Sequence, residues 1–225
     1  MRIDLASGTT AELALPSGDS TPTLGAVVHP DIAGLRPLFD DLCARLAADH
    51  GWAVCAPEPF PGRESMTLEE RMAAMAGLDD HTQLAHLLAA ADVLVDRGAP
   101  RVVVLGFCMG GMYVYKAAGT GRFDRGVSFY GMARVPEPWQ GSGQGDPLQA
   151  LLQPGACPVL AVVGGRDPYT PPEDVASLQA IPHVEVVEYP EAEHGFVHDP
   201  SRPAHRPDDA ADAWRRAVAF LQAGE

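Results

Sequence analysis

The sequence predicts an α/β fold: a mostly parallel sheet with helices on both faces, built as a single domain over residues 1–225. Three observations carry this expectation. Apolar strand-like runs alternate with helical spacings along most of the chain, the pattern of a parallel sheet joined by crossover helices. The strand runs, such as Val102-Val103-Val104-Leu105 and Val159-Leu160-Ala161-Val162-Val163, are unbroken by polar residues, as expected where both faces of a sheet are covered. No linker is long enough to divide the chain, and no internal repeat is present.

Taken in order, residues 1–16 alternate polar and apolar around Ser7-Gly8-Thr9-Thr10, which predicts a hairpin at a sheet edge. Residues 17–22 form a turn. Residues 24–29 form a short apolar strand that Pro30-Asp31-Ile32-Ala33-Gly34 breaks. Leu38, Leu42 and Leu46 have helical spacing over residues 38–50, and Gly51 stops that helix. Residues 52–56 form a second buried strand, closed by the turn-rich residues 57–62. A long helical region is expected over 67–97, broken near Gly77 and started by the capping-box pair Thr67 and Glu70. A strand through Leu105 and a helical stretch over 112–118 follow. Residues 126–130 form a strand and 133–145 a Pro- and Gly-rich surface loop. Residues 158–163 form a strand, 171–180 a short helix and 184–189 the last strand. The terminal helix, 208–222, carries Ala211, Trp214, Val218 and Leu221 on one face.

Composition narrows the function classes. Apolar residues make up 46% and charged residues 20%, which fits a soluble globular protein with a substantial core. The formal net charge of −14 argues against a nucleic-acid partner or an anionic membrane surface. It leaves an anionic small substrate open, because a local arginine outweighs a distant field in a partly buried site. Cys43, Cys55, Cys108 and Cys157 form no Cys-x-x-Cys pair, so no zinc or redox motif is expected. The start of the chain lacks the long apolar core of a signal peptide, and no stretch has the length of a membrane span. A cytoplasmic location is the default, with a monomer or small homo-oligomer as the expected state.

The chemistry centres on Gly106-Phe107-Cys108-Met109-Gly110-Gly111. An apolar strand runs into Gly-x-Cys-x-Gly, the nucleophile-elbow pattern with sulfur in place of oxygen. Small residues two before and two after the nucleophile let strand and helix approach closely. The helix start beyond it offers free backbone N–H groups and a positive dipole end, which favour a thiolate or an oxyanion. The bland alternative is a buried structural cysteine. Two further strand ends carry matching groups: Asp167 in Gly164-Gly165-Arg166-Asp167-Pro168, and His194 in Glu193-His194-Gly195-Phe196. Nucleophile, acid and histidine in this order make a triad in which imidazole moves the proton and the acid fixes its tautomer.

These residues resemble the dienelactone hydrolase (carboxymethylenebutenolidase) family, and the resemblance covers nearly the whole chain. It implies an α/β-hydrolase fold and a Cys108-His194-Asp167 triad that opens an enol-lactone ring to a keto acid. It also implies no metal and no cofactor. The family has a glutamate after an early strand that contacts the resting thiol. This chain has Asp31 there, roughly 1.5 Å shorter in reach, and a turn residue is the alternative reading. Backbone N–H groups of Ile32 and Met109 would form the oxyanion hole. The family also holds a substrate carboxylate with arginines. Where one follows the histidine segment, this chain has His198, with Arg202 and Arg206 nearby. For the other, Arg63 and Arg71 are candidates. Histidine is a poor substitute for a bidentate guanidinium, which bears on the substrate more than on the hydrolytic chemistry.

Other residues read more simply. Cys43, Cys55 and Cys157 fit small core or surface positions. His81 and His86 are expected to be solvated, and the remaining histidines lack metal-ligand spacing. Trp139 is expected to anchor its loop. Tyr130 lines the pocket or packs in the core, and Glu69 with Glu70 supplies helix-start charge. The expected function is hydrolysis of a small lactone or activated ester through a thioester acyl-enzyme. The alternatives are a broad small-molecule carboxylesterase and a non-catalytic reactive-thiol sensor or binding protein. Peroxide sensing is weakened by the lack of a resolving cysteine near Cys108.

Overall fold

The computed structural model describes residues 1–18 and 20–223, and within them the alternation resolves into one eight-stranded sheet. The strands are β1 (Arg2–Asp4), β2 (Thr10–Ala14), β3 (Gly25–His29), β4 (Ala53–Pro57), β5 (Val102–Phe107), β6 (Gly126–Phe129), β7 (Val159–Gly164) and β8 (Val184–Tyr189). Their order across the sheet is β1-β2-β4-β3-β5-β6-β7-β8. The expected N-terminal hairpin sits at the edge, and β2 pairs antiparallel to β4. Every pairing from β4 to β8 is parallel, so those strands end at one edge, where chemistry collects in such sheets.

Strand alternation makes two cores from one apolar run. Val102 and Val104 of β5 face the core under the helices α3 (Asp80–Asp96) and α4 (Met109–Ala118). Val103, Leu105 and Phe107 face the other core, under α1 (Pro37–His50) and α7 (Pro207–Gln222). Successive side chains of a strand point to opposite faces, so a strand buried on both sides must be apolar throughout. The α1 helix opens with Pro37 in its first turn and stops at Gly51, whose φ of 68° suits glycine.

The region 67–97 is broken at Gly77, as its sequence predicts. It divides into α2 (Leu68–Ala74), a 3-10 turn over Met75–Gly77 and α3. Thr67 and Glu70 form the capping box of α2, while Asp79 caps α3 afresh by accepting from Thr82 N–H. The helix after the elbow starts at Met109, so both glycines lie inside its first turn. The loop 133–145 contains a 3-10 turn, Glu137–Trp139, and Trp139 is buried in the core as an anchor. A short helix α5 (Pro147–Leu151), capped by Asp146, follows that loop. His86 is buried rather than solvated, with Nδ1 2.9 Å from Ser7 Oγ. A sixth helix, Pro172–Gln179, precedes β8. No helix among the described residues is long and apolar enough to cross a membrane.

Candidate active site

The elbow is a backbone feature before it is a chemical one. Cys108 lies between β5 and α4 at φ 56° and ψ −118°. Cys108 and Tyr130, at φ 41°, are the non-glycine residues of positive φ among the described residues. That conformation costs about 1–3 kcal/mol and persists only where the surroundings over-determine it. Here the flanking glycines allow the determination. A Cβ on Gly106 would lie 2.3 Å from the Gly110 carbonyl oxygen, and one on Gly110 would lie 2.3 Å from that of His29. Cys108 N–H donates to the Phe129 carbonyl at 3.0 Å, tying the turn to β6. The sulfur is thus half-buried at the sheet's carboxyl edge, at the N-terminus of a ten-residue helix.

Asp167 and His194 arrive from the ends of β7 and β8. Asp167 Oδ1 accepts from Tyr169 N–H at 2.8 Å, and Oδ2 accepts from His194 Nδ1 at 2.8 Å. The Asp167 side chain is fully buried. His194 Nδ1 therefore carries the proton, and Nε2 is turned inward, buried and without a well-formed hydrogen bond. The Cys108 thiol is the ionisable group near enough to act on its protonation. Burial opposes a charge on the imidazole, but the Asp167 hydrogen bond and the nearby Cys108 outweigh it and lift the His194 pKa to about 10. The ring is held edge-on between Tyr130, at 5.2 Å between centroids, and Tyr169, at 4.9 Å.

A second polar chain lies beneath the triad. Arg36 grips both oxygens of Asp31, at 2.6 and 2.8 Å. Asp31 Oδ2 also accepts from His198 Nε2 at 2.8 Å, and His198 Nδ1 is bound by the Tyr130 hydroxyl. Burial would raise the Asp31 pKa, but hydrogen bonds from His198 and Arg36, with the Arg36 charge, hold it well below the usual carboxylate range. Burial lowers the His198 pKa despite its carboxylate neighbour, so the ring is neutral near pH 7. A third buried acid, Glu58, accepts from Leu35 N–H at 2.8 Å, Phe60 N–H at 2.9 Å and Arg71 Nη1 at 3.3 Å. These contacts clamp residues 31–36 from both sides. Neither Ile32 N–H nor Met109 N–H has an acceptor among the described residues, which leaves both available to an oxyanion.

Each predicted site residue now has a place. Cys108, Asp167 and His194 converge. Asp31 is beside Ile32, but its carboxylate is taken up by Arg36 and His198 rather than by the thiol. Arg71 is buried, with its guanidinium on Glu58 and the Glu64 and Met66 carbonyls, so it is a strut of the loop. Tyr130 is fully buried and the His198 side chain almost so, both in the second chain, which leaves little surface for a substrate carboxylate. Arg63 is exposed on a surface hollow with Pro59, Phe60 and Leu78. Arg202 is exposed and lies against Gly195, where a Cβ would come within 2.7 Å of its guanidinium carbon. No carboxylate lies in ion-pair reach of Arg202 among the described residues. Sequence reasoning missed Arg36 and Tyr169. The Asp-x-Tyr turn that lets Tyr169 N–H bond Asp167 was the available signal. No metal-holding group of three or more His, Cys, Asp or Glu occurs among the described residues.

Comparison with known proteins identifies the family and the fold. The model of the family described as "Dienelactone hydrolase family" matches residues 10–224. A Bradyrhizobium sp. protein named "Probable 2-oxo-3-(5-oxofuran-2-ylidene)propanoate lactonase" is 30% identical over 206 residues, covering 87% of this chain and 82% of the relative. A candidate carboxymethylenebutenolidase of Synechocystis sp. is 29% identical over 212 residues, covering 87% and 84%. Among solved structures, a candidate dienelactone hydrolase from Klebsiella pneumoniae superposes with a TM-score of 0.88 at 24% identity, covering 100% of this chain and 98% of that one.

Proposed function

The chain belongs to the dienelactone hydrolase family, and on that premise we propose that it hydrolyses a lactone or small activated ester through Cys108, His194 and Asp167. The observation that carries this reading is the His194–Asp167 hydrogen bond of 2.8 Å, which leaves Nε2 buried and unpartnered near the Cys108 thiol of a strained elbow. The relatives named as a lactonase and a carboxymethylenebutenolidase support the substrate class.

The sulfur, its proton passed to His194 Nε2, attacks the substrate carbonyl carbon. The oxyanion that forms takes hydrogen bonds from Met109 N–H and Ile32 N–H. As the carbonyl re-forms, the C–O bond of the ester breaks and the leaving oxygen takes the proton from Nε2, giving a thioester on Cys108. In a lactone the leaving oxygen stays tethered to the acyl group. Water then attacks the thioester carbon and gives its proton to His194. The C–S bond breaks, the acid is released, and the sulfur returns to the imidazolium. Asp167 accepts from Nδ1–H throughout, keeping the tautomer that leaves Nε2 free to act.

Asp31, His198 and Arg71 are each engaged with other protein groups, so none of them is assigned to substrate. Cys108→Ala tests the proposal: turnover of a chromogenic ester is expected to vanish, and wild-type turnover in that variant would refute it. A panel pairing a carboxylate-bearing lactone with a neutral ester of similar size then separates a lactonase from a broad esterase.

A further inference from the structure

Tyr130 is a buried group that the triad chemistry leaves unused. It follows β6 with φ 41°, sharing its strained backbone class with the nucleophile. A bulky residue is rarely found there, so an observed case is a pointer to function. Its N–H donates to the Val162 carbonyl at 2.7 Å, and its side chain is fully buried. The hydroxyl meets His198 Nδ1, and His198 Nε2 meets Asp31 Oδ2 at 2.8 Å. An ionised carboxylate only accepts, so the proton of the neutral His198 lies on Nε2. Nδ1 then offers a lone pair, and the tyrosine O–H donates to it. Arg36 closes the far end of the chain on Asp31.

This chain spans parts of the site that the sheet does not connect. Asp31 and Ile32 follow β3, whereas His194 and His198 follow β8. Three strands, β5, β6 and β7, lie between β3 and β8. The loop bearing the oxyanion donor and the loop bearing the base therefore share no ladder, and the Asp31–His198 bond joins them across 167 residues of sequence. Tyr130 reaches this bond from β6 while its ring meets the imidazole of His194 at 5.2 Å and 66°. Rotation of the ring away from His194 would break the hydroxyl's bond to His198.

We propose that Tyr130 is a positioning residue for the Cys108–His194 pair, held in place by a buried Tyr130–His198–Asp31 relay that locks the histidine loop to the loop carrying Ile32. The kinetic part of this inference rests on the hydrolase reading above, while the positioning of the thiol and imidazole is a property of the resting protein.

Tyr130→Phe keeps the ring and removes the link, and Asp31→Asn weakens the far end. The first measurement is the pH dependence of Cys108 alkylation by iodoacetamide, which reports the titration of the coupled pair. Each variant is expected to displace that profile by about one pH unit, a tenfold change in the reactive population. On a chromogenic ester, kcat is expected to fall by about 10–100-fold with KM within about twofold, the mark of lost positioning rather than lost binding. The double variant should be no worse than the worse single one, because the residues act as a unit. A lower melting temperature with an unmoved alkylation profile and unmoved kcat would overturn the proposal. If Tyr130→Phe fails to fold, Asp31→Asn alone decides by the same readings. A displaced profile in a protein without ester turnover would refute the hydrolase reading and uphold the relay. Turnover with unmoved profiles would overturn the relay alone.

Discussion

Replacing Asp167 with asparagine asks the most of the triad geometry, because the carboxylate has two fixed and different duties. Its Oδ1 accepts from a backbone N–H, that of Tyr169, and its Oδ2 accepts from His194 Nδ1–H. An asparagine has one oxygen for these two donors. The backbone donor cannot change its nature, so the amide oxygen turns to Tyr169 and the NH2 faces the imidazole. His194 must then accept at Nδ1 and carry its proton on Nε2, which removes the base from the sulfur. A tautomer inversion of this kind lowers kcat by about 10⁴-fold. The carboxylate also stabilises the fold through the imidazolium. Burial works against the charge, yet the His194 pKa rises from 6.5 to about 10. At about 1.4 kcal/mol per pH unit, this rise is worth roughly 5 kcal/mol, an upper bound for Asp167 because Cys108 shares in it. A group whose folded pKa is raised contributes fully below its unfolded value and loses the contribution as pH climbs through the folded one. The stability gap between wild type and Asp167→Asn should therefore be widest at and below pH 6.5 and close as pH approaches 10. Urea melts across that window and single-turnover acylation of a chromogenic ester measure both effects. A variant within tenfold of wild-type kcat, or a gap that does not vary with pH, would refute the reasoning.

Two further substitutions test assignments made from contacts. Arg71→Ala strips the cation from buried Glu58, and breaking a buried pair costs about 3–5 kcal/mol, so a large fall in melting temperature is expected; a stable variant with only a raised KM would return Arg71 to the substrate. Arg202→Ala removes an exposed guanidinium beside Gly195 that has no acid partner among the described residues, and KM should rise for a carboxylate-bearing ester while a neutral ester is unaffected; equal effects on both would rule out a role in charge selection.

Much of the fold was legible because the signals were local. An apolar strand buried on both faces is apolar at every position, so β5 and β7 could be read directly. The break in the 67–97 region was legible at Gly77, while the fresh start of α3 was not, because it rests on Asp79 acting as a cap. The proposed triad could be read from sequence because the elbow needs Gly106 and Gly110 at fixed spacing, and its candidate partners follow in fixed order. The pairing of Asp31 with His198 was not. It joins residues 167 apart, and neither residue type announces a partner. Arg71 misled for a related reason: a guanidinium in a chain with 30 acids has many prospective partners, and only the coordinates say that Glu58 is the one.

These pairings bear on how a chain of formal net charge −14 could sustain a nucleophilic sulfur. A thiolate about 4 Å from an uncompensated carboxylate would pay about 4 kcal/mol at an effective dielectric constant near 20. The three buried acids around the site each have a basic partner: Asp31 has Arg36 and His198, Glu58 has Arg71, and Asp167 has His194. The acidic surplus is left to the surface, where physiological salt screens it beyond about 8 Å. Pairing Asp31 with a neutral histidine as well as an arginine has a structural consequence of its own. The imidazole has a second nitrogen, and that nitrogen reaches Tyr130 and so the wall of the His194 pocket. Arg36 thus compensates the charge on Asp31, while the neutral His198 ties that carboxylate to Tyr130.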